Sequence, residues 1–269
     1  MSRTWRRGVA GCIAALASAA RISHAQSESD LAKASQNPIA NLTSLPLQFN
    51  FNSGGGLGST TYLLLNVQPV MPLTLNKEWL LISRTIVPYT NIPVAPGIRV
   101  NGLADIQQQS YFTRKKPSKI VWGLGPIFSV PSATNDVVRT GQWALGPTGV
   151  ALITQGRWVI GALANNLWRI GGVRHGLPIN QFTTQPFINF NIPQGWAIVT
   201  APLITANWSA ADDEQWTVPI GIGLSKISRI GQQPVSIGAQ YYHNTMHPSN
   251  AGSDQFRFQF TLLYPIAQR

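Results

Sequence analysis

Cysteine is almost absent from this sequence, which has one, Cys12, among 269 residues. Cys12 lies in a stretch typical of a secretory signal peptide: an arginine-rich start, an uncharged run of small and apolar residues over 8–20, and the small-x-small site Ser23-His24-Ala25. We expect cleavage after Ala25. The mature chain then has no disulfide and no thiolate chemistry, which excludes a small disulfide scaffold.

Long apolar runs are also missing. The apolar part of the signal peptide, about 13 residues, is too short for a membrane helix, which needs about 20. After residue 25 no run of about 18 apolar residues occurs, so the sequence predicts no transmembrane helix. The remaining chain of about 244 residues is long enough for one large domain.

Charge is the third scarcity, since only 11% of the residues are charged and nine are acidic. Loss of the signal peptide removes four arginines and leaves 16 basic against 9 acidic residues, a net charge of +7. A basic chain can indicate nucleic-acid binding. Here the low total charge and the positions of the basic residues point elsewhere.

The mature chain does contain short runs of alternating apolar and polar residues, separated by turn residues. In QFRFQFTLLY (255–264), phenylalanines at every second position share one face, and polar residues occupy the other. The runs predict twelve β-strands, at 43–51, 61–71, 79–88, 103–113, 120–130, 142–153, 158–168, 179–190, 196–207, 216–227, 234–243 and 255–265.

The connections between these runs alternate between long and short. A soluble sandwich has no reason to sort its loops in this way, whereas short periplasmic turns, longer extracellular loops and an even strand number are typical of an outer-membrane barrel. The sequence predicts an all-β fold, a single closed antiparallel transmembrane β-barrel of about twelve strands over 43–269. Residues 1–25 are the expected signal peptide, and 26–42 a periplasmic N-terminal segment with a short helix near Asp30–Gln36.

Tryptophan marks both ends of the predicted strands. In WVIGALANNLW (158–168) the two indoles are ten residues apart. At a rise of about 3.3 Å per residue and a tilt of about 40°, they span roughly 25 Å along the membrane normal, the height of the apolar band. Indole prefers both edges of that band because its ring is apolar and its N–H stays hydrated. The predicted girdles comprise Trp79, Trp122, Trp143, Trp158, Trp168, Trp196, Trp208 and Trp216.

Basic residues collect at the predicted periplasmic ends of the strands and in the turns between them, where the only acidic residue is Glu78. Long basic side chains at such a rim can reach phospholipid headgroups. The excess therefore indicates membrane lipids, and not nucleic acid, as the partner. The rim residues are Lys77, Arg114, Lys115, Lys116, Lys119, Arg157, Lys226, Arg229 and Arg269.

Signals for catalysis are few. The mature chain has no G-x-S-x-G motif, and its glycine-rich segment 54–58 lacks the lysine of a phosphate loop. His243 and His247 alone are a weak metal pair. We therefore predict no enzyme activity, no metal and no cofactor. The alternative is a lipid-acting, phospholipase-like barrel, in which His243 would need a serine on a neighbouring strand.

Three charged residues fall inside predicted strands and away from the basic rim. A charge that faces lipid near mid-depth costs about 2–4 kcal/mol, so Arg84, Asp105 and Arg257 are expected to point into the lumen. Gln185 and Asn189 share the inward parity and complete the predicted pore lining. A second interpretation is that Arg84 and Asp105 simply pair and hold two strands in register. A polar lumen of this kind is either a water path or a plugged interior.

Several segments resemble the bacterial outer-membrane proteins named for the MetA pathway of phenol degradation, some of which carry a neuromedin U label. The family resemblance spans nearly the whole mature chain and implies an outer-membrane transporter of small, aromatic compounds. It implies no catalytic residues. The segments are LAKASQNPIANLTSLP (31–46), NVQPVMPLTLNKEW (66–79), WGLGPIFSVPSAT (122–134), GQWALGPTGVAL (141–152), WVIGALANNLW (158–168), QPFINFNIPQGW (185–196) and WTVPIGIGLSK (216–226).

The favoured function is a channel in the cell outer membrane for passive passage of small solutes. The three lumenal charges sum to +1, which favours organic acids and other anions weakly. A lipid-acting enzyme or a closed structural barrel is the alternative. Insertion into the outer membrane implies the barrel-assembly machinery as a partner during biogenesis.

Overall fold

The computed structural model describes residues 28–54, 60–116, 118–173 and 175–265. The expected signal peptide, its cleavage site after Ala25 and the terminal Arg269 lie outside these residues. No helix in these ranges is long and apolar enough to cross a membrane.

The described chain consists of one short α-helix followed by β-strands, with a single 3₁₀ turn at Asp212–Glu214. The helix α1 spans Glu28–Ser35, and the strands are β1 Leu42–Ser53, β2 Tyr62–Val67, β3 Val70–Thr74, β4 Trp79–Ala95, β5 Ile98–Leu103, β6 Ile106–Arg114, β7 Ile120–Val130, β8 Gln142–Gln155, β9 Trp158–Gly172, β10 Asn180–Asn191, β11 Trp196–Thr200, β12 Ile204–Asn207, β13 Trp216–Ile230, β14 Gln233–Met246 and β15 Asp254–Pro265.

The strands form one antiparallel sheet that closes on itself. β1 pairs with β15 along its whole length, from Leu42 opposite Pro265 to Ser53 opposite Asp254. β2 and β3, β5 and β6, and β11 and β12 are each two halves of one wall strand, separated by a short break. With each such pair taken once, the wall has twelve strands. The predicted closed twelve-strand barrel is confirmed, and closure leaves the sheet without a free edge.

The connections sort by length between the two ends of the barrel. Five connections of two to five residues lie at one end, which we call the short-turn end. The other end, the long-loop end, carries connections of seven to eleven residues, with one exception. Segment 89–101, expected to be a long loop, is a β-hairpin: β4 runs to Ala95, and β5 begins at Ile98. Gly97, at a φ of +73°, permits its tight turn.

Two predicted strands that were expected to be continuous are broken by proline. The run 61–71 stops at Gln68-Pro69, and the run 196–207 stops at Ala201-Pro202-Leu203. Proline has no N–H for the strand ladder, which weakens the pairing at both positions. Proline alone does not force a break, since Pro126, Pro147 and Pro186 lie inside unbroken strands. Both breaks turn polar groups toward the lumen, as described below.

The third break, at Ala104-Asp105, has a different cause. Here a long loop between β7 and β8 replaces the ladder, since the Leu103 amide donates to Thr134 Oγ1 at 2.9 Å and the Ile106 amide donates to Ser132 Oγ at 2.9 Å. The predicted run 103–113 therefore joins the end of β5 to the whole of β6.

Side chains alternate between the lumen and the outer surface, as predicted. On β15, Phe256 is 47% exposed and Phe258 is 36% exposed, whereas Arg257 between them is 2% exposed. In an isolated barrel the exposed face is the outer one, because inward side chains are covered by the opposite wall and the lumen contents. The outer face is apolar, and the inner face of this strand is polar.

Candidate functional site in the barrel lumen

One side of the lumen carries a continuous group of amide side chains and one arginine, which we call the polar wall. These residues come from the inner faces of β14, β15, β1 and β2 and from the break that follows β2. The polar wall comprises Gln240, Gln255, Arg257, Gln259, Gln48, Asn50, Asn52, Asn66 and Gln68.

Gln48 lies at the centre of the polar wall. Its amide nitrogen donates to Gln259 Oε1 at 3.3 Å, and its own Oε1 accepts long hydrogen bonds from Asn66 and Gln68, both at 3.5 Å. Every buried side-chain nitrogen and oxygen among the described residues has a hydrogen-bond partner. Fully satisfied buried networks of this kind resist rearrangement.

Arg257 reaches from the polar wall on β15, past β14 and β13, to the break between β11 and β12. Its guanidinium donates to Asn50 Oδ1 at 3.0 Å, to Gln255 Oε1 at 3.1 Å and to the Ala201 carbonyl at 2.9 Å, and it stacks 4.9 Å from the Tyr242 ring centroid. Ala201 can accept this bond because the break after β11 frees its carbonyl from the ladder. We call this contact the Arg257 bridge. Arg257 does lie inside the barrel, but as a saturated cross-link.

Arg84 lies on the inner face of β4. Its guanidinium donates a short hydrogen bond to Gln68 Oε1, and the Tyr111 hydroxyl is a further polar neighbour. Gln68 can reach it because the break between β2 and β3 directs Gln68 inward, where it is 4% exposed. Part of the Arg84 surface remains accessible and faces a cavity.

Asp105 does not pair with Arg84, so the interpretation of a register-holding pair is wrong. Its carboxylate accepts from the Ala133 amide at 3.0 Å and, through a short bond, from the Thr140 hydroxyl. Both partners belong to the loop between β7 and β8. Asp105 sits in the break before β6 and holds that loop against the wall.

The other side of the lumen is apolar. Inward residues of β4, β6, β8, β9 and β10 pack into one buried cluster, which we call the apolar wall. An interior that was expected to be mainly polar is thus divided into two unlike halves. The apolar wall comprises Leu80, Ile82, Tyr111, Val150, Leu152, Val159, Leu163 and Phe187.

Residues 28–41, which we call the plug, occupy the short-turn end of the lumen. Ile39 is 2% exposed and belongs to the same cluster as the apolar wall. It reaches β7, since a Cβ added at Gly123 would lie 3.3 Å from Ile39 Cδ1. In α1, Leu31 packs with Ile227 and Leu263 on the inner surface. The helix expected near 30–36 is therefore inside the barrel mouth rather than free in the periplasm.

A reciprocal amide pair also joins the plug to the wall. Gln36 Nε2 donates to Asn191 Oδ1 at 3.0 Å, and Asn191 Nδ2 donates to Gln36 Oε1 at 3.1 Å. Two neutral hydrogen bonds contribute about 1–3 kcal/mol together. This pair and the apolar side chains of Leu31 and Ile39 attach the plug to the wall.

A cavity of about 190 Å³ lies between the plug and the Arg257 bridge. Gln259, which lines it, is two residues nearer the short-turn end than Arg257. The predicted pore residues Arg84, Gln185 and Asn189 all line this cavity, whereas Arg257 and Asp105 do not. The structure thus brings three of the five predicted residues together.

Sequence reasoning missed the partners that complete this site. Gln68 and Ala201 lie at breaks in the strands, where their polar groups are free to bond to the two arginines. The plug residues Leu31 and Ile39 lie outside the predicted strands. A signal was present for each: both breaks hold an X-Pro pair in mid-strand, and isolated apolar residues occur in an otherwise polar N-terminal segment.

The eight tryptophans lie near strand ends. Those at the short-turn end and those at the long-loop end form separate contacts: Trp79 lies 6.2 Å from Trp122, and Trp208 lies 5.4 Å from Trp216, between ring centroids. Trp168 is not terminal as expected, because β9 continues to Gly172. Their depth in a membrane stays a prediction.

The enzyme alternative rests on His243. Its Nδ1 lies 3.0 Å from Asp254 Oδ1 at the outer edge of the long-loop end. The nearby hydroxyls are committed elsewhere, since Ser253 Oγ donates to Asp254 Oδ2 at 2.6 Å and Thr245 Oγ1 donates to the Val218 carbonyl at 3.0 Å. The arrangement has an oriented histidine without a positioned nucleophile. No group of three or more potential metal ligands occurs in the ranges that the structure describes.

Comparison with known proteins shows the fold. No protein-family model matches the chain, and no curated protein matches it. Among solved structures, the COG4313 outer-membrane channel from Pseudomonas putida F1 matches with a TM-score of 0.62 at 10% identity, over 83% of this chain and 95% of that one. The NanC porin matches with a TM-score of 0.53 at 10% identity, over 82% of this chain and 100% of that one.

A third structure, the CymD monoaromatic hydrocarbon channel, aligns over 92% of this chain and 94% of that one at 9% identity. Its TM-score of 0.45 is too low to support a conclusion about this chain. At these identities the likeness shows the fold alone, an outer-membrane type of β-barrel. The narrower resemblance to the MetA-pathway family stays a hypothesis.

Proposed function

We propose that this protein is an outer-membrane channel for passive passage of small solutes, closed at its short-turn end by the plug. The observation that carries the proposal is the cavity inside a closed twelve-strand wall, lined by amides, by Arg84 and by plug residues between Ala32 and Ala40. A closed structural barrel, whose interior serves only to stabilise the fold, has no need of a cavity beside a partly accessible guanidinium.

Several features support the location. Aromatic residues lie at both ends of an apolar outer face, and basic residues cluster at the short-turn end. Two of these bases stack on girdle residues, with Arg114 5.4 Å from the Trp79 ring and Lys226 4.9 Å from the Trp196 ring. Such pairs suit a phospholipid headgroup layer. The COG4313 channel and the NanC porin share the fold, and we propose a channel here by analogy with them.

The plug determines how solutes pass. Its residues line the cavity at the short-turn end. In our proposal a solute crosses when residues 28–41 leave the mouth. The plug is short and held by few contacts, and elements that move are drawn from such weakly held parts of a structure. We therefore propose a channel that conducts when the plug is displaced.

A covalent staple tests this proposal. The variant Gln36→Cys with Asn191→Cys places two thiols where the reciprocal amide pair holds plug and wall together. In planar bilayers, the oxidised or thiol-cross-linked variant should lose nearly all conductance, and reduction should restore conductance to the wild-type level.

The matched control is Asn191→Cys alone, which should conduct equally in both redox states. Equal conductance of the stapled and reduced forms would show that the plug does not cover the path. In the variant Leu31→Asp with Ile39→Asp, the two acidic side chains should dislodge the plug. If neither this variant nor the wild type conducts, a closed structural barrel is favoured.

A further inference from the structure

The two lumenal arginines differ in what they leave available. Arg257 is 2% exposed, and each of its three guanidinium nitrogens donates a hydrogen bond inside the barrel. Arg84 is more accessible and lines the cavity. A guanidinium has five N–H donors, more than the Gln68 amide oxygen and the Tyr111 hydroxyl can accept.

No carboxylate within the described ranges neutralises Arg84. The pairs of Arg139 with Asp136 and of His243 with Asp254 lie elsewhere, and the ionisable group that acts on Arg84 is the Tyr111 hydroxyl. Asp105, the partner considered from the sequence, accepts hydrogen bonds from the β7–β8 loop instead. A cation inside a protein needs a counter-charge or strong acceptors, and the cavity beside Arg84 has space for an anion.

The rest of the cavity suits an uncharged body. Phe187 and Val199 line it together with Val70, and amides such as Gln185 lie among them. A cavity of about 150 Å³ is large enough to bind benzene. The present cavity of about 190 Å³ therefore has room for one ring and a small polar group.

We propose that Arg84 and this cavity form a binding site for small monocarboxylates that carry an apolar body about the size of one ring. The carboxylate accepts two parallel N–H bonds from the guanidinium, the geometry that arginine favours. The apolar body lies against Phe187 and Val199. The site rests on the proposed function, because it lies on the route that a solute takes through the lumen.

Four probes separate the charge from the ring. para-Fluorobenzoate has both, para-fluorobenzamide has the ring without charge, fluoroacetate has the charge without the ring, and para-fluorobenzylamine has the opposite charge. Binding to the full chain in detergent micelles is measured by fluorine NMR at neutral pH. We expect para-fluorobenzoate to bind most tightly, and para-fluorobenzylamine not at all.

Two variants and one control test the role of Arg84. Arg84→Gln should weaken para-fluorobenzoate binding about 30-fold or more, as expected when one partner of a buried charged contact is lost. It should leave para-fluorobenzamide binding nearly unchanged. Arg84→Lys should retain part of the affinity, because lysine keeps the positive charge but lacks the two parallel N–H groups of the guanidinium. Arg139→Gln removes the same charge at the long-loop end and should bind like the wild type.

Folding of each variant is checked by faster migration of the unboiled protein on SDS gels, which a closed barrel shows. Equal affinity of the wild type for the benzoate and the benzamide, or an Arg84→Gln variant that binds benzoate normally, would overturn the site. The channel proposal is tested by conductance and can fail independently, since binding in micelles does not require conduction. A wild type that binds benzoate but never conducts supports the site and overturns the channel.

Discussion

The polar wall and the apolar wall of the lumen are built from strands of the same barrel, but they stabilise it in different ways. The polar wall consists of amides and one arginine, joined by hydrogen bonds from strand to strand and to the broken strand at Ala201. The apolar wall consists of aliphatic and aromatic side chains that pack on one another and on Ile39 of the plug.

This difference separates two tasks. Hydrogen bonds have fixed directions, so the polar wall holds the Arg257 bridge in place. Apolar contact is non-directional, so the apolar wall can receive a plug and release it with little change in its own geometry. We infer that both walls contribute to the solute site, the polar wall through Gln68 and the apolar wall through Phe187, and that the apolar wall also seats the plug.

The largest effect is expected on the polar wall. Arg257→Met removes three charge-assisted hydrogen bonds. Asn50 Oδ1 and Gln255 Oε1 lose this donor, and the Ala201 carbonyl keeps the bond from Gln185 Nε2 at 3.2 Å. We expect a loss of about 3–5 kcal/mol in the free energy of unfolding. Urea-induced unfolding in lipid vesicles, followed by tryptophan fluorescence, measures it. Arg139→Met, at the surface, should cost less than about 1 kcal/mol; equal losses would deny the bridge a structural role.

A smaller effect is expected on the apolar wall. Leu163 is 3% exposed, and Leu163→Ala should lower the free energy of unfolding by about 2–4 kcal/mol through the lost contacts and the cavity it leaves. The control Leu124→Ala changes a side chain that is 60% exposed on the outer face, where lipid can fill the space. The same urea titration applies, and a larger loss for Leu124→Ala would mean that the inner and outer faces are assigned in reverse.

The smallest effect concerns the outer face, in contrast to the two lumenal walls, and involves no change in the free energy of unfolding. Because the tryptophans lie near the ends of an apolar outer face, lipids brominated near the headgroup should quench their fluorescence more than lipids brominated at the chain ends. Stronger quenching from the chain ends would place the indoles at mid-depth and contradict the two girdles.

The strands and their faces were predictable because they depend on local pattern. A period of two places Phe256 and Phe258 on one face and Arg257 on the other, whatever the rest of the chain does. Loop lengths likewise predicted the two ends, apart from the hairpin at 89–101, where strand residues extend beyond the barrel wall. The predicted pore lining was less complete, since inward parity alone cannot distinguish Arg84, which faces a cavity, from Arg257, which is saturated.

The sequence by itself determined a closed barrel with an apolar outside, because alternation, turn residues and strand number are properties of neighbouring positions. Only the tertiary structure decided what fills the interior. Arg257 meets the Ala201 carbonyl, 56 residues away along the chain, and Gln36 meets Asn191 across 155 residues. Such contacts depend on how the wall closes and on which backbone groups a break releases, so no local pattern specifies them.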